Sequence, residues 1–166
     1  MSDEAVAKPE LNIRPHPKKT DYGIGILACG WVVKTAHLLA YRRCGFNLVG
    51  VADLREEELA FARSQFGIQH SFTDFHDLLA RPEVAIIDVC TQTFGRAELV
   101  EAGAVAGKHV LVQKPFARSI ADGMRRVAAC NRAGVKLGVN SHYRWLTSSA
   151  ARGRSSARGP SAMSTT

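Results

Sequence analysis

Three features of the chain carry residue types that can do chemistry. A turn at positions 28–33 directly follows an apolar run, and its first three residues, Ala28-Cys29-Gly30, are small. Asp53 ends a second apolar run, and Lys114 stands before Pro115 after a later one. A strand that enters a helix through small residues leaves helical N–H groups without partners, and these attract an anion. The pattern therefore predicts an anion site near a carboxylate and an ammonium group.

We call residues 28–33 the glycine turn. Its best match to the dinucleotide-binding fingerprint G-x-G-x-x-G/A retains only the middle glycine, because Ala28 and Val33 occupy the outer positions. Gly30 is the glycine that lets the backbone approach a pyrophosphate. Ala28 can make the tight turn if its φ angle stays negative. Taken alone, the turn is more typical of an ordinary strand-to-helix connection than of a cofactor site.

Asp53 lies 23 positions after Gly30. At the end of the second strand of a β-α-β unit, its carboxylate can accept both hydroxyls of an adenosine ribose. An equally good interpretation is a helix cap, because glutamates at residues 56–58 begin the next helix. Arg55 either faces a ribose 2′-phosphate or is solvated. Both NAD and NADP therefore remain open, with NAD favoured by Asp53.

Two further polar groups follow predicted strands. Thr91 comes after the strand at residues 84–90, and Lys114 comes after the strand at residues 109–112. Open α/β sheets bind ligands at the carboxyl ends of their strands, so these groups should face one crevice. Pro115 restricts Lys114 to extended conformations and holds it more rigidly than an ordinary loop would. Without that context a lysine here is most simply a solvated side chain.

Strands and helices alternate along the chain. Strands are predicted by apolar runs at residues 22–27, 46–52, 70–72, 84–90, 109–112 and 135–139. The buried face of the helix after the glycine turn is predicted to carry Val32, Val33, Ala36, Leu39 and Ala40. The alternation predicts an α/β fold with a doubly wound, mostly parallel sheet of about six strands. Right-handed crossovers then bring the strand ends to one edge.

Composition limits the classes of function. The net charge of +7 is spread along the 166 residues without a basic stripe of interleaved aromatics, which argues against nucleic-acid binding. No run is apolar enough for a signal peptide or a membrane span. The four cysteines form no C-x-x-C pair, which predicts a reducing cytoplasm and no metal site. We expect a disordered leader at 1–20, one domain at 21–145 and a disordered low-complexity tail at 146–166.

Several motifs together resemble one family. They are residues 24–37 with Tyr41, Val51-Ala52-Asp53, residues 98–111, Gln113-Lys114-Pro115 and residues 140–145. Over residues 22–145 the chain resembles the N-terminal half of the Gfo/Idh/MocA family (glucose-fructose oxidoreductase, inositol dehydrogenase and rhizopine catabolism). The resemblance implies a Rossmann domain of an NAD(P)-dependent oxidoreductase acting on a sugar, polyol or related hydroxyl compound. The family's second, α+β domain is missing here.

The resemblance also implies roles for single residues. Lys114 would be catalytic, close to the substrate hydroxyl. Candidate cofactor contacts, from the turn and from the resemblance together, are Ala28, Cys29, Gly30, Trp31, Val32, Asp53, Arg55, Thr91, Gln92, Gln113 and Lys114. Gln113 stands in place of the usual glutamate and removes a negative charge beside Lys114. Other departures are Ala28 for glycine, Gln92 for proline and Arg96 for histidine.

The end of the chain leaves alternatives open. His142 and Arg144 either contact substrate or, for Arg144, anchor the interdomain hinge. We interpret residues 146–166 as the product of a shifted reading frame, and we expect a truncated chain with little turnover. A homo-oligomer is expected only for a full-length form. The alternatives are an inactive nucleotide-binding or interaction module and a methyltransferase-type fold, and the lysine–proline element argues against the second.

Overall fold

The computed structural model describes residue 17 and residues 19–141. The predictions for His142, for Arg144, for the tail at 146–166 and for nearly all of the leader at 1–20 lie outside the described residues. None of the helices in the described part has the length and apolarity needed to cross a membrane.

All six strands belong to one parallel sheet. The strands are β1 (Gly23–Leu27), β2 (Leu48–Ala52), β3 (His70–Phe72), β4 (Val84–Val89), β5 (His109–Gln113) and β6 (Leu137–Asn140). Their order across the sheet is β3-β2-β1-β4-β5-β6. Strands are thus added to one side of β1 up to β3 and to its other side from β4 onward. This reversal of strand order makes a crevice between β1 and β4. The predicted α/β, doubly wound architecture is confirmed.

Helices cover both faces of this sheet. They are α1 (Leu38–Arg43), α2 (Glu56–Phe66), α3 (Phe75–Leu79), α4 (Arg96–Val105) and α5 (Ile120–Arg132). One buried cluster joins β1 and β2 to α1 and α2 through residues such as Ile26 and Leu59. The other joins the sheet to α3, α4 and α5 through residues such as Ile87 and Val100. Because both faces are covered, the central strands are apolar on both sides.

The strand register brings the carboxyl ends together. Leu27, at the end of β1, pairs with Ala52 of β2 and with Val89 of β4. Gln113, at the end of β5, pairs with Asn140 of β6. Residues that follow these ends therefore meet at one edge of the sheet, as the sequence predicted.

The helix after the glycine turn differs from the prediction. It begins with a π-helical segment, Val33–His37, before α1, and the Leu38 N–H bonds to the Val33 carbonyl five residues back. This wider turn shifts the inward face, so Val33, His37 and Leu38 are buried. Ala36 and Ala40, both predicted to face the core, are exposed. The α-helical spacing assumed from the sequence was wrong here because of the extra residue in the turn.

Candidate functional site

The glycine turn contains one strained position. Ala28 has a φ of 72°, and it is the one residue other than glycine with a positive φ in the described part of the chain. The condition of a negative φ at Ala28 is therefore not met, although the turn forms. Its N–H bonds to the Ala52 carbonyl at 2.8 Å, which holds the chain in this conformation. A left-handed backbone costs an L-residue roughly 1–2 kcal/mol, so surrounding contacts must offset that cost.

Gly30 leaves open space at the start of the helix. A Cβ atom added to Gly30 would meet no protein atom within 4 Å. The Lys34 N–H donates to the Gly30 carbonyl at 3.1 Å, so the amides of residues 31–33 precede the first helical hydrogen bond. Trp31 is 75% exposed and Val32 is also exposed. A ligand at this helix terminus would meet backbone N–H groups without steric obstruction.

Asp53 connects the two neighbouring loops. Its Oδ2 accepts from the Cys29 N–H at 2.7 Å, and its Oδ1 accepts from the Arg55 N–H at 2.9 Å. The helix-cap interpretation is not what the structure shows. Arg55 is the residue before α2, its own side chain makes no cap hydrogen bond, and the Arg55 N–H to which Asp53 bonds lies outside α2. The side chain of Asp53 is only 7% exposed. Each oxygen retains a lone pair for a hydroxyl donor at the cleft wall.

Two of the predicted contact residues have their side chains engaged elsewhere. The Cys29 side chain is buried in the core, and burial, with Asp53 nearby, raises the pKa of its thiol to about 11. Any ligand contact of Cys29 would therefore involve its backbone. The Arg55 guanidinium lies 2.8 Å from Glu58, with its Nε 3.6 Å from Asp53. Arg55 is thus paired with acids rather than held ready for a phosphate.

A cleft of about 500 Å³ opens at the carboxyl edge beside these residues. It brings together five of the predicted cofactor contacts, namely Ala28, Asp53, Arg55, Thr91 and Gln92. Its remaining walls are largely apolar and include Phe75 and Phe94. An apolar cleft with a few convergent polar groups is the usual form of a small-molecule site, and here it suits a flat aromatic base beside a ribose.

Residues 113–117 form a second turn at this edge, which we call the lysine turn. Lys114 is exposed, and its ammonium makes no ion pair with any residue that the structure describes. The peptide bond between Lys114 and Pro115 is cis. The lysine turn is anchored by two buried arginines, Arg96 and Arg126, which are 2% and 1% exposed. The backbone that carries Lys114 is thus fixed from below.

Arg96 binds three backbone carbonyls from two strand ends. Its guanidinium donates to the carbonyl of Pro115 at 2.6 Å and to those of Thr91 and Gln113. No acidic side chain of residues 19–141 pairs with it, and burial, with Arg126 nearby, lowers its pKa. The sequence identified Arg96 only as a departure from histidine. Its role as a clamp depends on carbonyls 5 to 19 positions away, so local pattern could not reveal it.

Arg126 completes the anchoring. It donates to the Phe116 carbonyl and pairs with Asp122 at 2.7 Å, one helical turn earlier on α5. Ser119, the residue before α5, accepts from the Asp122 N–H at 3.1 Å. The same aspartate therefore serves the helix start and the lysine turn.

Sequence reasoning missed a buried polar cluster under the lysine turn, the histidine cluster: His37, Tyr41, Asp88, Cys90, Gln113 and Asn140. His37 and Asp88 are the buried pair at its centre, with Nδ1 and Oδ2 2.6 Å apart. One signal was available, because an aspartate inside the apolar strand β4 needs a partner. The potential ligand atoms of His37, Asp88 and Cys90 lie within 4.8 Å of one another. They bond to each other, which makes a hydrogen-bond network the simpler interpretation.

Comparison with known proteins identifies the family of the chain. Residues 22–141 match the model of the GFO_IDH_MocA oxidoreductase family, described as an NAD-binding Rossmann fold. The chain belongs to the Gfo/Idh/MocA family. D-apiose dehydrogenase of Paraburkholderia graminis is 36% identical over 130 residues, which cover 78% of this chain and 34% of the relative. 1,5-Anhydro-D-fructose reductase of Ensifer adhaerens is 34% identical over 122 residues, covering 74% and 35%.

Solved structures of a dehydrogenase and of an oxidoreductase share the fold. The WlbA dehydrogenase of Bordetella pertussis, in complex with NADH and UDP-GlcNAcA, superposes with a TM-score of 0.77 at 28% identity, covering 84% of this chain and 42% of that one. An oxidoreductase of Agrobacterium radiobacter, in complex with NAD+, L-tartaric acid and magnesium, gives 0.72 at 27% identity, covering 76% and 37%. The chain spans about a third of the length of the curated relatives above.

Proposed function

We propose that this domain binds NAD along the carboxyl edge of its sheet, from the cleft at Asp53 to the lysine turn. The observation that carries the proposal is the Asp53 carboxylate at the cleft wall, tied to the Cys29 N–H at 2.7 Å. The open space above Gly30 fits a pyrophosphate against the helix N-terminus. The group thus fits the residues present at both its ribose and its phosphates.

We further propose a preference for NAD over NADP. A carboxylate at Asp53 accepts ribose hydroxyls but repels a 2′-phosphate. Arg55, the cation nearest to that position, is held by Glu58 at 2.8 Å and also faces Asp53. Its charge is therefore largely balanced before any phosphate arrives.

We propose that Lys114, in a form of the protein that carries a second domain, serves a hydroxyl substrate of the sugar or polyol class. NAD, when bound, supplies a hydride acceptor. An ammonium group at Lys114 would donate a hydrogen bond to the substrate oxygen and stabilise the negative charge that develops as its proton leaves. Arg96 and Arg126 hold the backbone that presents this ammonium group. The named relatives act on sugars, which supports this class of substrate.

The test is a thermal-shift titration of the full chain with NAD and with NADP. We expect saturable stabilisation by NAD, amounting to about 2.7 kcal/mol when NAD is 100-fold above its Kd. Asp53→Ala should weaken NAD binding at least tenfold and reduce the discrimination against NADP. Asp77→Ala, at an exposed aspartate of α3 that does not line the cleft, is the matched control. No shift with either nucleotide would contradict the proposal.

Lys114 is tested separately with a matched lysine. Lys136 is also exposed, but it precedes β6 and so lies at the opposite edge of the parallel sheet. In a form of the protein that carries a second domain, Lys114→Ala should abolish NADH formation and retain NAD binding, whereas Lys136→Ala should change neither. Equal activity of the two variants would remove Lys114 from the mechanism.

A further inference from the structure

The ring of His37 lies between two polar partners under the lysine turn. The π-helical segment Val33–His37 turns its side chain inward, where it is 7% exposed. Its Nδ1 is 2.6 Å from Asp88 Oδ2, and its Nε2 is 3.0 Å from the amide nitrogen of Gln113. Asn140 places its amide nitrogen 3.3 Å from the same Nε2. The ring therefore links a buried carboxylate to the residue that precedes Lys114.

The orientation of the Gln113 amide is determined by a backbone group. The Lys114 N–H is 2.7 Å from Gln113 Oε1, and a backbone N–H can only donate. The amide oxygen therefore faces Lys114, and the amide NH₂ faces His37. An amide nitrogen donates but does not accept, so His37 Nε2 must accept this hydrogen bond. That nitrogen carries no proton.

A neutral imidazole without a proton on Nε2 carries it on Nδ1, which donates to Asp88. The same Asp88 Oδ2 accepts from the Tyr41 hydroxyl at 2.7 Å, and Oδ1 accepts from the Cys90 thiol at 3.3 Å. Burial, with Asp88 nearby, raises the pKa of both Tyr41 and Cys90, so each keeps its proton and remains a donor. Each hydrogen-bond donor that faces Asp88 therefore has a carboxylate oxygen as its acceptor. The amide NH₂ of Gln113 has His37 Nε2 as its acceptor.

We propose that His37 is a positioning residue, held as the neutral Nδ1–H tautomer by Asp88, which fixes the Gln113 amide and through it the backbone of Lys114. The role of Lys114 in this statement rests on the proposed function, whereas the tautomer does not. Asp88, Tyr41, Cys90, Gln113 and Asn140 are the groups that face the ring. The lone pair of Nε2 accepts from Gln113 at 3.0 Å, and Asn140 is the more distant neighbour at 3.3 Å. The histidine cluster thus carries the single negative charge of Asp88.

A glutamate at position 113 reverses the proton requirement of His37. Its carboxylate would accept from the Lys114 N–H and would also need a donor from His37 Nε2, so the ring would take up a second proton. The added carboxylate and the added proton cancel, and the histidine cluster keeps the same net charge. The glutamine at 113 therefore does not by itself leave a more positive surrounding for Lys114, which refines the expectation from the sequence.

The test is the tautomer of His37 in the full chain, measured by long-range ¹H–¹⁵N NMR. We expect a protonated Nδ1 and an unprotonated Nε2 at neutral pH, assigned by the loss of these signals in His37→Asn. In Gln113→Glu both nitrogens should be protonated, while the ring of His76, exposed and bonded to Asp74, should not change. An Nε2–H tautomer or an imidazolium in the unsubstituted protein would overturn the proposal.

The positioning role has its own readout. Asparagine at 37 can still donate to Asp88, but its shorter side chain leaves no acceptor at the place of Nε2, which bonds to Gln113. We therefore expect His37→Asn to speed hydrogen exchange of the Lys114 amide at least tenfold. Gln113→Leu removes the acceptor of that amide and should have the same effect. Unchanged exchange in both folded variants would refute the positioning role. Failure of NAD binding would instead refute the proposed function and leave the tautomer result intact.

Discussion

The glycine turn and the lysine turn lie at the same edge of the sheet but are held in opposite ways. The glycine turn is fixed by backbone hydrogen bonds and by one carboxylate, Asp53, which is close to the cleft surface. The lysine turn is fixed from below by buried polar and charged side chains, chiefly Arg96 and the hydrogen-bonded pair of His37 with Asp88. The glycine turn keeps its polar groups available to a ligand, whereas the lysine turn uses the polar groups beneath it to hold its own backbone.

This difference separates binding from stability. A buried cation whose partners are carbonyl groups cannot be removed without leaving those carbonyls without donors in the interior. Open space above a glycine can be filled without disturbing the protein. Changes at the lysine turn should therefore lower the free energy of unfolding, and changes at the glycine turn should mainly lower the affinity for the nucleotide.

The largest expected effect comes from Arg96→Met. Loss of the guanidinium leaves the carbonyls of Thr91, Gln113 and Pro115 without this donor, so we expect a loss of about 3 kcal/mol in the free energy of unfolding. Urea titration followed by circular dichroism measures it.

Two further variants serve as controls for the Arg96 prediction. Arg96→Lys keeps the positive charge but cannot donate to three carbonyls in the same geometry. Its free energy of unfolding should lie between those of the unsubstituted protein and Arg96→Met. Arg125→Met, at an arginine whose side chain is 63% exposed and pairs with Glu101, should cause a much smaller change. Equal urea midpoints for Arg96→Met and Arg125→Met would contradict the role of Arg96 as a clamp.

Filling the space at Gly30 should give the next largest effect. Gly30→Ala adds a methyl group that meets no protein atom within 4 Å, and the φ of Gly30 is not left-handed, so stability should not change. The same methyl group occupies the place proposed for the pyrophosphate, so NAD binding should weaken at least tenfold, or about 1.4 kcal/mol. Calorimetric titration with NAD checks this. An unchanged affinity would place the phosphates elsewhere.

Ala28→Gly should have a smaller effect than the preceding variants, and it should raise the free energy of unfolding. Glycine adopts the φ of 72° without steric cost, and its greater freedom in the unfolded chain offsets part of the gain. We expect the protein to become more stable by about 0.5–1 kcal/mol, measured by urea titration. Ala36→Gly, at an exposed helical position, is the matched control and should destabilise. A loss of stability in Ala28→Gly would show that the backbone at residue 28 relaxes in the folded protein, so that glycine removes no strain there.

The smallest expected effect is a difference in the reactivity of the cysteine thiols, and it involves no loss of stability. Cys44 is exposed and should react first with iodoacetamide. In the Cys44→Ser background, Cys29 reports on the glycine turn and Cys90 on the lysine turn. With a pKa of about 11, against an ordinary 9.0, Cys29 at pH 8 has a roughly hundredfold smaller thiolate fraction. Burial also raises the pKa of Cys90. Rapid labelling of either, followed by mass spectrometry, would show that its region opens.

The part of the site that sequence predicted is the part whose contacts follow from strand order. The alternation of apolar runs predicts the six strands, and parallel strands must end at one edge, so Asp53, Thr91 and Lys114 were correctly expected there. The helical face was wrong because the π-helical segment Val33–His37 adds a residue to one turn. Such an insertion leaves no mark in hydrophobic spacing.

The amino-acid sequence by itself determined the fold, the family and the edge at which the chemistry-bearing residues lie, because periodicity and short motifs act over a few neighbouring positions. Only the tertiary structure decided how those residues are held. Arg96 reaches carbonyls on two strand ends, and His37 meets Asp88 and Gln113 from 51 and 76 positions away. Hydrogen bonds of this kind depend on direction and on distances of about 3 Å, which the folded chain alone provides.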